Sequence, residues 1–332
     1  MVNSIPQLEI VIASGKGGVG KSTLASSLAI LLAKKYYLVA VDADAEAPNL
    51  HIALGVNDWD IVEPYIEGRI AYINREKCTD CGLCAEACQF GAVEVKNGKY
   101  YINKWICEGC YTCSFVCPVK AVSYIRDIVA GHLYVKERTR YGFPLVSSEI
   151  TPGRPNSGKL VTEAKNRAKK IMGGRKGLIL VDAAAGIGCQ VISSIAGAHA
   201  VILVAEPTPS SLNDLKRIHK LAKHFGIPSM LVINKADISE EYREKILEYA
   251  HRENIDYLGD IPYDENVPRS INTMKPLLEA YPDTIASKAI VEISKKIVEI
   301  IDNIDEWRLK HLPEKIEPFI PIIIKPGNNI VN

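Results

Sequence analysis

Apolar and polar positions follow two rhythms along this chain. Short unbroken apolar runs at Leu8–Ser14, Tyr37–Val41, Gly177–Val181, Ala200–Ala205 and Ser229–Asn234 read as buried strands, with Ile255–Ile261 as a last short one. Between them, Ser22–Lys34, Lys159–Met172, Ser210–Phe225 and Glu240–Glu253 carry apolar residues at helical spacing. Strands alternating with amphipathic helices predict an α/β class fold. Its sheet should be doubly wound and mainly parallel, with ligands at the strand ends.

One interval breaks the rhythm. From residue 69 to 126 the predicted strands are short (Val93–Val95, Tyr100–Ile102 and Val122–Ile125), and cysteines crowd the sequence. Cys78–Val95 and Cys107–Tyr124 repeat each other in cysteine spacing and in a following Ala-Val pair. The expectation is a discontinuous nucleotide-binding domain, residues 1–68 and 127–332, with a small α+β domain inserted at 69–126. Gly131–Ser157, rich in proline and glycine near its end, reads as a return linker with loops. Ile285–Ile301 is an amphipathic helix of mixed charge, which predicts packing on the domain rather than a membrane foot. The tail Ile316–Lys325 is apolar and punctuated by proline, with no structural reading.

Composition narrows the partners. The balance of 40 basic against 39 acidic residues makes no electrostatic case for nucleic acid or an anionic membrane. No apolar run approaches the roughly 20 residues needed to span a bilayer. The first strand begins almost at once, leaving no room for a signal peptide. Of nine cysteines, eight fall between Cys78 and Cys117, which suggests metal in a reducing, cytoplasmic setting rather than a disulfide framework.

Gly15-Lys16-Gly17-Gly18-Val19-Gly20-Lys21-Ser22-Thr23 fits the phosphate-loop pattern Gly-x4-Gly-Lys-[Ser/Thr]. It follows a strand and opens a helix, the order that aims backbone N–H groups and a helix N-terminus at a phosphate chain. In this motif Lys21 neutralises the β- and γ-phosphates and Ser22 ligates Mg²⁺.

The cysteine spacing is Cys78-x2-Cys81-x2-Cys84-x3-Cys88, then Cys107-x2-Cys110-x2-Cys113-x3-Cys117-Pro118. This is the double run of bacterial-type two-cluster ferredoxins, whose fourth cysteine ligates the other run's cluster. By that rule Cys78, Cys81, Cys84 and Cys117 hold one 4Fe–4S cluster, and Cys107, Cys110, Cys113 and Cys88 hold the second. Thiolate quartets also suit zinc, the competing reading. The first run ends in Cys88-Gln89 rather than Cys-Pro, which alters local stiffness but removes no ligand.

Lys16 makes the resemblance to a family specific. With it, the loop resembles the deviant phosphate loop of the MinD/ParA/Mrp and nitrogenase iron-protein superfamily, and residues 8–275 look like its members that carry an inserted ferredoxin domain. The resemblance implies a homodimer that sandwiches ATP, with Lys16 reaching the partner's nucleotide and Thr23 near the α-phosphate. Asp42-Ala43-Asp44 is similar to the first switch, where Asp44 orients or deprotonates the attacking water and Asp42 lies near the metal. Asp182-Ala183-Ala184-Ala185-Gly186 resembles the second, with Asp182 on the Mg²⁺ shell and Gly186 near the γ-phosphate. Asn234-Lys235-Ala236-Asp237 looks like the base-contacting segment, Asn234 reading adenine, and Pro262-Tyr263-Asp264 like a second base-side loop. In GTPases the aspartate of Asn-Lys-x-Asp selects guanine, so base identity stays open here.

Three functions compete on these residues. An ATP-gated electron carrier, acting on a redox partner, agrees best with eight fixed ligands. An iron–sulfur carrier of the Mrp/ApbC type, serving apo client proteins, is the alternative, though the C-terminal Cys-x2-Cys pair of those relatives is absent from this sequence. A MinD/ParA-like spatial organiser lacks its basic surface or membrane foot. Cys189, the ninth cysteine, lies seven residues after Asp182.

Overall fold

The computed structural model describes residues 7–126, 128–154 and 157–313. The tail Ile316–Lys325 lies outside them. The first half of the chain runs β1 (Gln7–Ser14), α1 (Lys21–Ala33), β2 (Leu38–Ala43), α2 (Leu50–Ala53), β3 (Ile61–Ile66), β4 (Arg69–Ile73), α3 (Leu83–Glu86), β5 (Val93–Lys96), β6 (Lys99–Ile102), α4 (Thr112–Phe115), β7 (Val122–Arg126), β8 (Val129–Lys136) and β9 (Leu145–Ile150). It continues with α5 (Ser157–Met172), β10 (Gly177–Ala185), α6 (Cys189–Ile195), β11 (Ala200–Ala205), α7 (Pro209–His224), β12 (Ser229–Asn234), α8 (Glu240–Arg252), β13 (Asp256–Ile261), α9 (Asn266–Asn272), α10 (Leu277–Ala280), α11 (Ile285–Asp302) and α12 (Ile304–His311).

Nine strands form one sheet in the order β13-β12-β11-β1-β10-β2-β9-β8-β3. From β13 to β9 every pairing is parallel, and the strands are apolar on both faces because helices cover both. Side chains alternate accordingly. Val11 and Ala13 join the core under α5, α7 and α8, whereas Ile10 and Ile12 join the core under α1 and α11. Ile290, Ile293, Ile297 and Ile301 of α11 are buried in that second core, so this amphipathic helix packs on the sheet.

β1 lies between β10 and β11, the central one of the seven parallel strands. β1 connects through α1 to β2 on one side, whereas its neighbour β10 connects through α6 to β11 on the other, which opens a crevice at their carboxyl ends.

Gly131–Ser157 is not a linker. It contains most of β8 and all of β9, and these extend the sheet: β9 runs parallel to β2, β8 antiparallel to β9, and β3 antiparallel to β8. The proline and glycine that signalled loops fall in the β8–β9 turn and after β9. Pro64 lies within β3, where an edge strand can spare the missing N–H.

Between β3 and β8 the chain makes two small antiparallel sheets, β4 with β7 and β5 with β6. Glu67 N donates to Ile128 O across the base of this excursion (2.9 Å). The excursion therefore leaves and rejoins the main sheet at one point on its edge.

Candidate functional site

Gly15–Gly20 crosses the carboxyl end of β1, and the first and last of its glycines are there for space. A Cβ on Gly15 would lie 2.4 Å from the Cβ and carbonyl oxygen of Asp214 on α7. Gly20, at φ +94°, would meet Asn234 Nδ2 at 2.3 Å. Asn234 Nδ2 donates to Val19 O (2.8 Å), tying the loop to the end of β12. The Val19 side chain is fully buried in the core, so it anchors the loop from below.

A cavity of about 480 Å³ opens over this loop. Gly17, Gly18, Gly20, Lys21, Ser22 and Thr23 line its floor, Asp44 and Ala185 one side, and Asn234, Pro262, Tyr263 and Asp264 the other. Gly15, Lys16, Val19, Gly186, Asp42 and Asp182 do not line it. Val267, Pro268 and Ile271 of α9 complete an apolar wall that sequence reasoning missed. Their signal was the run directly after Pro262-Tyr263-Asp264, which carries no motif of its own.

Three carboxylates, Asp42, Asp44 and Asp182, lie close enough to interact electrostatically, and two of them act on Lys21. Lys21 is buried, which lowers its pKa, while Asp182 and Asp44 pull it back up. Asp182 is pushed up to about 6 by burial, against the Ser22 hydroxyl and Lys21. Its Oδ1 is buried without a hydrogen-bond partner. Burial also raises Asp44, against the N–H of Ala47 and the charge of Lys21.

Asp42 differs from expectation. Its Oδ1 accepts Asp44 N (3.2 Å), and its Oδ2 accepts the N–H groups of Asn49 (2.9 Å) and Leu50 (2.8 Å). It holds the loop after β2 in shape rather than facing the cavity. Burial and the neighbouring Asp182 push its carboxyl up.

Asp237 is likewise engaged. Its Oδ1 accepts the backbone N–H of Tyr263 (2.8 Å), joining the two base-side loops, and it does not line the cavity. Lys16 folds back within its own chain, forming an ion pair with Glu206 and a long contact to Ser210 Oγ (3.5 Å). Glu206 also pairs with Lys235 (3.2 Å), and the two lysines hold its carboxyl low although burial alone would raise it.

All nine cysteines are free thiols. Cys78, Cys81, Cys84 and Cys117 line one small cavity, and Cys88, Cys107, Cys110 and Cys113 line another. Backbone N–H groups point at four of the sulfurs: Asp80 to Cys78 (3.4 Å), Ala92 to Cys88 (3.3 Å), Ala71 to Cys107 (3.4 Å) and Ala121 to Cys117 (3.2 Å). Among the described residues, no three or more His, Cys, Asp or Glu side chains form a group that could hold a single metal ion. Cys189 is exposed at the start of α6, and Gln190 beside it accepts the N–H of Ala45 (2.8 Å).

No described helix is long and apolar enough to cross a membrane. The CobQ/CobB/MinD/ParA nucleotide binding domain family matches residues 10–277. An uncharacterised protein of Methanocaldococcus jannaschii is 35% identical over 89% of this chain and 98% of its own length. The iron-sulfur cluster carrier protein of Pyrococcus furiosus is 26% identical over 87% of this chain and 85% of its own. Among solved structures, the septum site-determining protein MinD of Pyrococcus horikoshii, complexed with Mg-ADP, aligns at TM-score 0.52. The two are 19% identical, and the match covers 89% of this chain and 97% of that one, a likeness of fold.

Proposed function

The chain belongs to the CobQ/CobB/MinD/ParA nucleotide-binding family, and from that premise we propose that it is an ATP-hydrolysing iron–sulfur protein. In this reading closure of an ATP-bound homodimer is coupled to electron transfer. The observation that carries the ATPase half is the cavity over Gly17–Thr23, with the unpartnered Oδ1 of Asp182 beneath it.

The residues present suit Mg²⁺. Asp42, Asp44 and Asp182 outnumber the one buried lysine among them, and Ser22 and Asp182 offer two protein oxygens. Mg²⁺ ordinarily takes one or two carboxylates and completes its shell with phosphate and water. Bound there, it would neutralise charge that develops on the transferring phosphoryl group. Lys21 would bind the β- and γ-phosphates. Asp44, its pKa raised by burial, would orient or deprotonate the attacking water. Gly186 would lie near the γ-phosphate, and Thr23 near the α-phosphate. Asn234 and the loop Pro262-Tyr263-Asp264 would face adenine. The tie between Asp237 and Tyr263 N–H favours adenine over guanine, since that carboxylate is turned to the loop. Lys16 would leave Glu206 to reach the partner's nucleotide.

Residues 69–126 then form an inserted two-cluster ferredoxin domain. Each of the two cysteine cavities is lined by three cysteines of one run and the fourth of the other, the interchange that this cluster type requires. In a 4Fe–4S cluster each thiolate binds its own iron, so the sulfurs surround a volume and need not meet at one ion. N–H groups directed at sulfur stabilise thiolate. Such clusters, when bound, supply one-electron redox chemistry.

A second reading, a carrier that delivers clusters to apo-proteins, draws on relatives named iron-sulfur cluster carrier protein. One experiment separates the two. Protein purified without oxygen is followed by EPR and redox titration with and without MgATP, alongside transfer to an apo-ferredoxin. A shifted midpoint potential with retained iron supports electron transfer. ATP-dependent loss of iron to the acceptor supports delivery. No iron in the purified protein, or no response to nucleotide, would overturn both.

A further inference from the structure

The two cysteine cavities belong to an excursion from the far edge of the sheet. β3 and β8, its roots, are separated from the central strand β1 by β10, β2 and β9. A coupling between nucleotide and cysteines has to cross that distance. One short segment does so directly.

Ala45, in the loop that follows Asp44, is held at both ends of its peptide group pair. Its N–H donates to Gln190 Oε1 on α6 (2.8 Å), and its carbonyl accepts Ile150 N at the end of β9 (2.8 Å). It therefore joins the loop on one side of the cavity to the helix that follows Gly186. From Ile150 the chain needs four more residues to reach the excursion. Thr151 N is anchored on Ala130 O (2.9 Å). Arg154 Nη1 then donates to Lys104 O (3.3 Å), and its guanidinium lies 5.9 Å from the centre of the Trp105 ring. A Cβ on Gly153 would touch the Trp105 carbonyl at 3.4 Å. Lys104 and Trp105 lie three and two residues before Cys107, the start of the second cysteine run. The amides of Trp105, Ile106 and Cys107 all bond to Asn103, through its side chain (2.9 Å) or its carbonyl (3.2 and 3.0 Å).

We propose that Ile150–Arg154 is the lever through which the nucleotide-bound state sets the conformation of the turn at Asn103–Cys107, with Arg154 as the positioning residue at its tip. This rests on the nucleotide-binding reading above. A second path runs from α5 through the Lys159–Glu67 ion pair into β4, where the N–H of Ala71 meets Cys107 Sγ (3.4 Å); it enters at the sulfur and not at the turn before it. By linkage, the same contact lets the state of the cysteine run bias the nucleotide site.

The test is hydrogen–deuterium exchange on the full-length, cluster-loaded protein with MgADP and with the magnesium complex of a non-hydrolysable ATP analogue. Nucleotide binding is followed separately by fluorescence titration. In the wild type, exchange over 103–113 should differ between the two states by about fivefold, the low end of ordinary coupling. In Arg154→Ala and in Trp105→Ala that difference should vanish while the loop 44–50 still responds, and Arg154→Lys should restore part of it. A response that persists in both variants, or a wild type that binds nucleotide with no change at 103–113, overturns the lever. Absence of nucleotide binding overturns the reading beneath it as well.

Discussion

Lys165 offers the sharpest test of how the sheet is tied to α6, the helix that follows Gly186. It is 5% exposed, and its ammonium lies 2.7 Å from Oε1 of Glu9, itself 2% exposed at the start of β1. It also donates to the carbonyls of Ser193 (2.9 Å), Ser194 (2.7 Å) and Ala196 (2.8 Å), so it caps the C-terminus of α6. Burial lowers the Lys165 pKa while Glu9 raises it. Lys165→Met would fill the same space with no charge. Glu9 would keep only the half-exposed Lys169 at 3.2 Å, and three carbonyls would lose a donor. Removing one partner of a buried pair costs about 3–5 kcal/mol, and orphaned carbonyls add about 1 kcal/mol or more. Against a typical domain stability of about 5–15 kcal/mol, that approaches the limit of folding. Urea unfolding followed by circular dichroism should show the loss as a lower midpoint at constant slope. Adding Glu9→Leu to Lys165→Met should recover part of it, because the stranded carboxylate is gone. A single-variant loss below about 1 kcal/mol, or a double variant no more stable than the single, would refute the reasoning.

His219 is buried and shares a hydrogen bond with Tyr249 Oη (2.9 Å), and burial depresses its pKa to about 4. The unfolded chain, with an ordinary pKa near 6.5, then binds the extra proton between those values. Stability should be full above about pH 6.5 and fall by about 3 kcal/mol toward pH 4, an acid limb that His219→Gln flattens in unfolding titrations. If the proposed ATP-bound dimer forms, Glu206→Gln should free Lys16 and strengthen it about fivefold in sedimentation, since partly exposed pairs are worth up to about 1 kcal/mol; an unchanged or weaker dimer would deny that the Glu206 ion pair restrains Lys16. Asp237→Ala should weaken ATP binding about fivefold, the value of one hydrogen bond of roughly 1 kcal/mol, and leave the ratio of ATP to GTP affinity unchanged. A rise in relative GTP affinity would instead make Asp237 a base selector.

Much of the fold was legible because its signals are local. Strands buried on both faces announce themselves as apolar runs, and α5, α7, α8 and α11 begin and end within two residues of their predicted bounds. β8 and β9 were hidden for a physical reason. At a mixed edge, packing rather than composition decides: Ser147 and Ser148 are buried, and Ser148 Oγ bonds to the carbonyl of Asp42. The phosphate loop could be read from nine consecutive residues. The partner of Lys16 could not, because Glu206 arrives from β11, 190 residues later. Asp42 and Asp237 show the same limit in reverse. A carboxylate at a strand end reads identically whether it faces a ligand or the backbone of its own loop.

The roots of the cysteine-bearing excursion have a consequence for ancestry. Ile66 pairs with Val129, and Glu67 with Ile128, so the excursion occupies the position of an ordinary hairpin turn between β3 and β8. A turn at the sheet's outermost edge can be lengthened without disturbing any core residue, and closing a longer loop costs only slowly more entropy. A chain could thus gain or shed this unit in a single genetic step and keep a working nucleotide fold throughout. What such a graft would not bring is Arg154. Arg154 lies outside the excursion, so its contact with Lys104 and Trp105 needs both segments.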